Sequence, residues 1–318
     1  MKIVILERNT VGTDVDVSCF EQLGEVVAYP ITAPDQVASR VEDADIIIAN
    51  KSPLNPTTLA NAKNVKMIAE FATGYDNIDI AYCKERGIRV ANVSGYSTPA
   101  VVQHTFALAF YVLEHLAYYD NYVKSGAYGA QPGFSNFDIP FTELEGKTWG
   151  IIGLGNIGRG VAKVAESFGC NVIYYSASGK NNSSEYKQAT LDELLEKSDF
   201  ISCHCPLNDK TKYLIDSSAF NKMKKTAILI NVARGAVVNN SDLYDALVEG
   251  KIAGAGLDVV DGEPILPDNP LGKFTDSNRL IITPHMAWAS TEARNRCVQE
   301  AYKNVEAFLN GQERNVIV

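Results

Sequence analysis

Three side chains of complementary chemistry occupy the same kind of position in this 318-residue chain. Arg234 lies in Asn231-Val232-Ala233-Arg234-Gly235, Glu263 in Asp261-Gly262-Glu263-Pro264, and His285 in Pro284-His285. Each stretch closes a short apolar run that reads as a strand. A guanidinium can fork onto a carboxylate and the adjacent carbonyl oxygen, a geometry lysine cannot copy. An imidazole can deliver a proton near neutral pH. A carboxylate beside it would favour its charged form and fix its tautomer. Gripping a carboxylate while protonating the neighbouring carbonyl is what hydride transfer to a 2-keto acid demands, and positioned acid–base catalysis contributes on the order of 10²–10⁴ in rate. Singly, these residues also read as a turn arginine, a loop acid and a cap. Their joint placement after strand C-termini, where open parallel sheets bind ligands, argues that they act together. Of the other histidines, His104 and His115 fall in a long helical pattern and read as packing or surface residues. His204, near a strand end, lines the cofactor cleft in this reading and carries no chemistry.

The hydride needs a source, and Gly153-Leu154-Gly155-Asn156-Ile157-Gly158 supplies one. Lys147 to Ile152 reads as a strand entering the glycines, and Ile157 to Phe168 as a helix leaving them. Gly153 permits the tight turn, Gly155 lets the backbone approach a pyrophosphate, and Gly158 lets helix and strand pack closely. The helix N-terminus at Asn156 and Ile157 offers N–H groups and a positive dipole end to phosphate. The next strand, 171–176, ends at Ser176, where a carboxylate would bind both ribose hydroxyls and repel a 2′-phosphate. With Ser176 and Lys180 there instead, NADP(H) is slightly favoured over NAD(H).

These residues require a framework of alternating strands and helices. Buried-strand patterns occur at 2–7, 25–30, 45–50, 65–71 and 89–93, and again at 148–153, 171–176, 199–205, 227–233, 253–260 and 280–283. Thr190-Leu191-Asp192-Glu193 opens one intervening helix as a capping box. The alternation predicts an α/β protein of two doubly wound parallel sheets. A helix over 98–119 separates the two series. It is followed at 120–146 by a stretch whose Phe134, Phe137, Ile139, Pro140 and Phe141 suit an arm gripping another subunit rather than the alternative, a loop packed on its own domain. A final helix over about 290–310 crosses back to the first series, giving domains of 1–97 plus 291–318 and 98–290.

Composition narrows the function classes. The chain is 46% hydrophobic and 21% charged, with a formal net charge of −9. That balance argues against broad nucleic-acid binding, which needs a basic face. No apolar run approaches the roughly 20 residues that span a bilayer, and Met1 to Glu7 reads as a strand, not a signal peptide. Six cysteines without a disulfide framework fit a reducing cytoplasm. Cys203-His204-Cys205 lies in a strand, where neighbouring side chains face opposite sides, so no metal site is expected.

The ordered motifs resemble the D-isomer-specific 2-hydroxyacid dehydrogenase family over nearly the whole chain. They are the glycine turn, His204-Cys205-Pro206-Leu207, Asn231 to Gly235, Gly256-Leu257-Asp258-Val259 and Pro284-His285-Met286-Ala287-Trp288. The resemblance implies a Rossmann cofactor domain and a flavodoxin-like substrate domain. It implies that Arg234 binds substrate, Glu263 supports the histidine and His285 is the acid/base. Asp258 would meet the nicotinamide amide, with Pro206, Val232 and Ala233 lining the cofactor cleft. Backbone N–H groups around Ala72-Thr73-Gly74 would take the substrate carboxylate, with Asn50 and Lys51 nearby, and the protein would be a homodimer.

Within the family the 284–289 stretch looks most like glycerate dehydrogenases, also called hydroxypyruvate reductases, with Trp288 walling off a small hydroxylated substrate. The expected reaction is reduction of hydroxypyruvate, and of glyoxylate, to D-glycerate and glycolate. A bulkier keto acid such as pyruvate or phenylpyruvate is the alternative, and a non-catalytic cofactor-sensing protein a remote one. Chain length speaks against a phosphoglycerate enzyme with a regulatory domain, and Glu263 in place of Gln speaks against formate.

Overall fold

The computed structural model describes residues 1–179 and 183–318, and they divide into two compact units, Met1–Ser97 with Trp288–Val318, and Thr98–Ala287. In the first unit, β1 (Lys2–Ile5), β2 (Glu25–Ala28), α1 (Val37–Val41), β3 (Ile46–Ala49), β4 (Met67–Glu70), α2 (Ile80–Arg86) and β5 (Arg89–Ala91) follow one another. The five strands form a parallel sheet in the order β2-β1-β3-β4-β5. Ile46 to Ala49 and Met67 to Ala69 are apolar and buried throughout. Continuous apolar runs of this kind are what a sheet covered on both faces selects. The order reverses between β1 and β3, so the chain ends following those strands diverge and leave a crevice at the sheet's carboxyl edge.

The second unit opens with α3 (Thr98–Leu113), α4 (Leu116–Lys124) and α5 (Ala127–Ala130). The single helix expected over 98–119 therefore breaks, and His115 sits between its halves with φ 52°. Apolar residues continue across the break, so periodicity carries no trace of it. The stretch read as an arm is helical up to Ala130, and beyond it Phe134 and Phe137 are 89% and 84% exposed.

There follow β6 (Thr148–Ile152), α6 (Asn156–Ser167), β7 (Asn171–Tyr175), β8 (Lys187–Gln188), α7 (Leu191–Lys197), β9 (Phe200–Cys203), α8 (Ser217–Lys222), β10 (Ile228–Asn231), α9 (Asn240–Val248), β11 (Gly254–Leu257) and β12 (Leu280–Ile282). The sheet is parallel, in the order β12-β11-β10-β9-β6-β7-β8. This is the doubly wound dinucleotide-binding order with one added strand, and its reversal falls between β6 and β9. Gly256 admits α3 onto the sheet, since a β-carbon there would lie 2.7 Å from the Leu108 side chain. Thr190 caps α7 by accepting from the Glu193 N–H at 3.1 Å.

The chain ends in α10 (Thr291–Leu309), which packs against β4 in the first unit. The last residues then pair with β5, Ile317 N–H donating to the Val90 carbonyl at 2.8 Å. Among the described residues no helix is long and apolar enough to cross a membrane.

Candidate active site

Every candidate residue in the second unit follows a strand of its sheet. The turn after β6 is built against the residues after β9. A β-carbon on Gly153, whose φ is 97°, would lie 2.8 Å from the Cys205 nitrogen and 2.9 Å from the His204 carbonyl carbon. Gly158 is equally confined, against the carbonyl of Gly153. Gly155 is different: a side chain there would meet no atom of the described residues within 4 Å. Packing thus accounts for the first and third glycines, and the second is left bare at the N-terminus of α6. Bare backbone at a helix N-terminus and a sheet reversal suits a pyrophosphate. Nearby, both ring nitrogens of His204 are enclosed without a hydrogen-bond partner among the described residues. Burial keeps that imidazole neutral, its pKa pushed down to about 3. The residues present fit a nicotinamide dinucleotide. Ser176, following β7, is buried, Pro206 is exposed, and Lys180 lies outside the described residues.

Asn231, the last residue of β10, is fully buried and shapes the arginine turn. Its amide donates to the Arg234 carbonyl at 3.0 Å and accepts from the Ala233 N–H at 3.1 Å. Val232 is buried and Ala233 half-buried in this turn. The Arg234 guanidinium donates to the Ala233 carbonyl at 2.9 Å. Gly235 then lies directly against the Val260 carbonyl, leaving no room for a β-carbon. The loop carrying Arg234 and the loop carrying Glu263 are in this way packed backbone to backbone.

Glu263 and His285 are in contact. One Glu263 carboxylate oxygen is 2.6 Å from His285 Nδ1, and the other accepts from the Val260 N–H at 3.1 Å. With both oxygens engaged the carboxylate cannot turn away from the ring. Tyr213 donates to Asp261 at 2.6 Å, and the Asn240 amide donates to the Asp261 carbonyl at 2.9 Å, bracing the same loop.

His285 has φ 52°, a left-handed conformation that costs a residue bearing a β-carbon on the order of 1 kcal/mol. Asp258 offsets that cost. Its carboxylate, 1% exposed, accepts from the Met286 and Ala287 N–H groups at 2.8 Å each and from the Thr283 hydroxyl at 2.6 Å. Its carbonyl accepts from the His285 N–H at 2.8 Å. The segment 283–287 is folded around this one side chain. His104, read from sequence as a packing or surface residue, joins it: Nε2 is 2.9 Å from the Thr283 hydroxyl.

In the first unit, the turn after β3 hangs on Glu7, whose carboxylate accepts from the Asn50 N–H at 2.9 Å and the Lys51 N–H at 3.2 Å. Sequence reasoning passed over Glu7, although an acid closing a buried strand is a signal. The Thr73 hydroxyl donates to the Val93 carbonyl at 2.8 Å, and Gly74 follows it in the same half-buried loop. The Trp288 ring packs edge-on to Tyr96 at 6.1 Å. Contacts place Trp288 at the start of the returning segment, three residues before the boundary read from sequence.

Residues 106–287 match the family model described as D-isomer specific 2-hydroxyacid dehydrogenase, NAD binding domain. The chain belongs to the D-isomer-specific 2-hydroxyacid dehydrogenase family. It is an oxidoreductase of that family. The chain is 39% identical to a hydroxypyruvate reductase of Blautia hydrogenotrophica, over 100% of this chain and 99% of that protein. It is 37% identical to a glycerate dehydrogenase of Methylorubrum extorquens, over 99% and 98%. Among solved structures it superimposes with a TM-score of 0.89 on an acyclic imino acid reductase in complex with NADPH and D-Arg, at 30% identity and full coverage of both chains.

Proposed function

We propose that the protein reduces hydroxypyruvate, and glyoxylate with it, to D-glycerate and glycolate. The observation that carries the reading is the His285–Glu263 pair at 2.6 Å on a loop braced against the Arg234 turn. It is supported by the hydroxypyruvate reductase and glycerate dehydrogenase names of full-length relatives.

A bound nicotinamide supplies the hydride. Arg234 binds the keto-acid carboxylate and draws on the neighbouring carbonyl oxygen, orienting the carbon to be reduced. Glu263 occupies Nδ1, so the proton available to the substrate is on Nε2, and His285 gives it to the carbonyl oxygen as negative charge develops there. Asp258 holds His285 in place and meets the nicotinamide amide. Pro206, Val232 and Ala233 flank the cofactor. In the first unit, the N–H groups at Thr73 and Gly74 take the substrate carboxylate, with Asn50, Lys51 and Trp288 bounding the substrate.

NADP(H) is the proposed cofactor, because the residue following β7 is the neutral Ser176 where a carboxylate would repel a 2′-phosphate. The enzyme works in a reducing cytoplasm as a homodimer, with exposed Phe134 and Phe137 gripping a second copy. Sedimentation of the purified protein would then return twice the chain mass.

The deciding experiment compares NADPH and NADH oxidation with hydroxypyruvate, glyoxylate, pyruvate and phenylpyruvate as kcat/KM. Hydroxypyruvate with NADPH is expected to lead. A lead for phenylpyruvate replaces the substrate, a lead for NADH replaces the cofactor, and inertness to all four removes the reading.

A further inference from the structure

The hydroxyl of Thr283 has one proton and two close oxygen neighbours. It is 2.6 Å from an Asp258 carboxylate oxygen and 3.5 Å from the Leu257 carbonyl. The shorter contact to an anion takes the proton. The hydroxyl oxygen is then an acceptor, and the nitrogen 2.9 Å away, His104 Nε2, is its donor. This order fixes the His104 tautomer with its proton on Nε2. A directed chain results, from His104 through Thr283 to Asp258. The same oxygen of Asp258 also accepts the Met286 N–H, and His104 Nε2 lies 3.5 Å from it.

His104 stands on α3, which is pinned to the sheet where Leu108 covers Gly256. The His104 side chain is 19% exposed. The chain of hydrogen bonds therefore runs from a fixed helix to the segment that bends His285 into its left-handed conformation. Without the donor, the Thr283 hydroxyl loses the partner that sets its direction, and the Asp258 carboxylate is freer to turn from the two N–H groups that close the loop. Hydrogen bonds in such a chain polarise one another, so losing one weakens the next.

We propose that His104 is a positioning residue for the reaction, setting the orientation of His285 through Thr283 and Asp258. The inference rests on the reading of His285 as the proton donor, and its test separates the two. His104→Leu is expected to lower kcat on the order of ten- to a hundredfold, the cost of a slight misplacement of a catalytic group, while KM for the keto acid changes less than about threefold. His104→Gln keeps an N–H near the Nε2 position and is expected to recover most of the loss. In a His285→Ala background, His104→Leu should change the residual rate by less than about twofold, since the group it positions is gone. Wild-type kcat in His104→Leu, with His285→Ala inactive, overturns the inference and leaves the proton-donor reading standing. An equal further drop in the His285→Ala background also overturns it, showing an effect on the fold at large. Full activity in His285→Ala alone overturns the proton-donor reading itself.

Discussion

His285 is held at its ring by Glu263 and at its backbone by Asp258, as suits a group that moves a proton, and Arg234 stands in a turn shaped by Asn231, as suits a group that binds. That difference predicts different kinetic signatures. On the proposed roles, His285→Ala removes a proton given only as the carbonyl is reduced, so kcat should fall by about 10²–10⁴ with KM little changed. On the same proposal, Arg234→Ala removes a grip present in both ground and transition states, so KM should rise as kcat falls. Steady-state kinetics on both variants reads this directly, and a rise in KM alone for His285→Ala would contradict the assignment. In the proposed reading, Ser176 carries the cofactor choice. Ser176→Asp should move the kcat/KM ratio toward NADH by tenfold or more, because a buried carboxylate at the ribose repels a 2′-phosphate. An unchanged ratio would detach cofactor preference from this position.

Between residues and fold stand the loops after the strands, and these show what the sequence could convey. The strands of both sheets were legible because a strand buried on both faces is a continuous apolar run bounded by turns. Arg234, Glu263 and His285 were legible because each follows such a run. Interruptions inside an apolar pattern were not: α3 ends at Leu113 and α4 begins at Leu116 with hydrophobic residues on both sides of His115. Nor was the partnership of His104 with Thr283, 179 positions apart in sequence, since nothing local to a helix names the loop it faces. The contact between Gly235 and the Val260 carbonyl is another long-range fact. It yields an element-scale prediction: Gly235→Ala must push the arginine and glutamate loops apart. Both kcat and kcat/KM should fall at least tenfold, and Tm should drop as an overpacked contact costs about 1–3 kcal/mol. Wild-type kinetics in Gly235→Ala would mean that the two loops move independently.

For the whole molecule, a large electrostatic anomaly lies in the first unit, at the end of β4. Glu70 is 0% exposed, and neither carboxylate oxygen has a hydrogen-bond partner among the described residues. Burial pushes its pKa up from 4.5 to about 8, and the charge of Glu7 adds to the rise, against a weaker opposing pull from the Lys51 charge. The native protein thus keeps a proton that the unfolded chain releases above pH 4.5. Where the unfolded state binds fewer protons, stability falls as pH rises. The neutral acid's contribution is full below about pH 4.5 and is lost progressively up to about pH 8, above which native Glu70 also ionises and the loss levels off. Each unit of raised pKa is worth about 1.4 kcal/mol, so the total reaches a few kcal/mol. Glu70→Gln puts a neutral group of the same shape in that place. Thermal unfolding of both proteins across pH 5 to 8 should show nearly equal Tm at pH 5 and a gap in favour of the variant that widens to on the order of 5 °C at pH 8. The overall charge of −9 loads both proteins with nearly the same self-repulsion, so the difference between the two curves isolates this carboxyl. A gap independent of pH would show that Glu70 does not hold its proton in the native state.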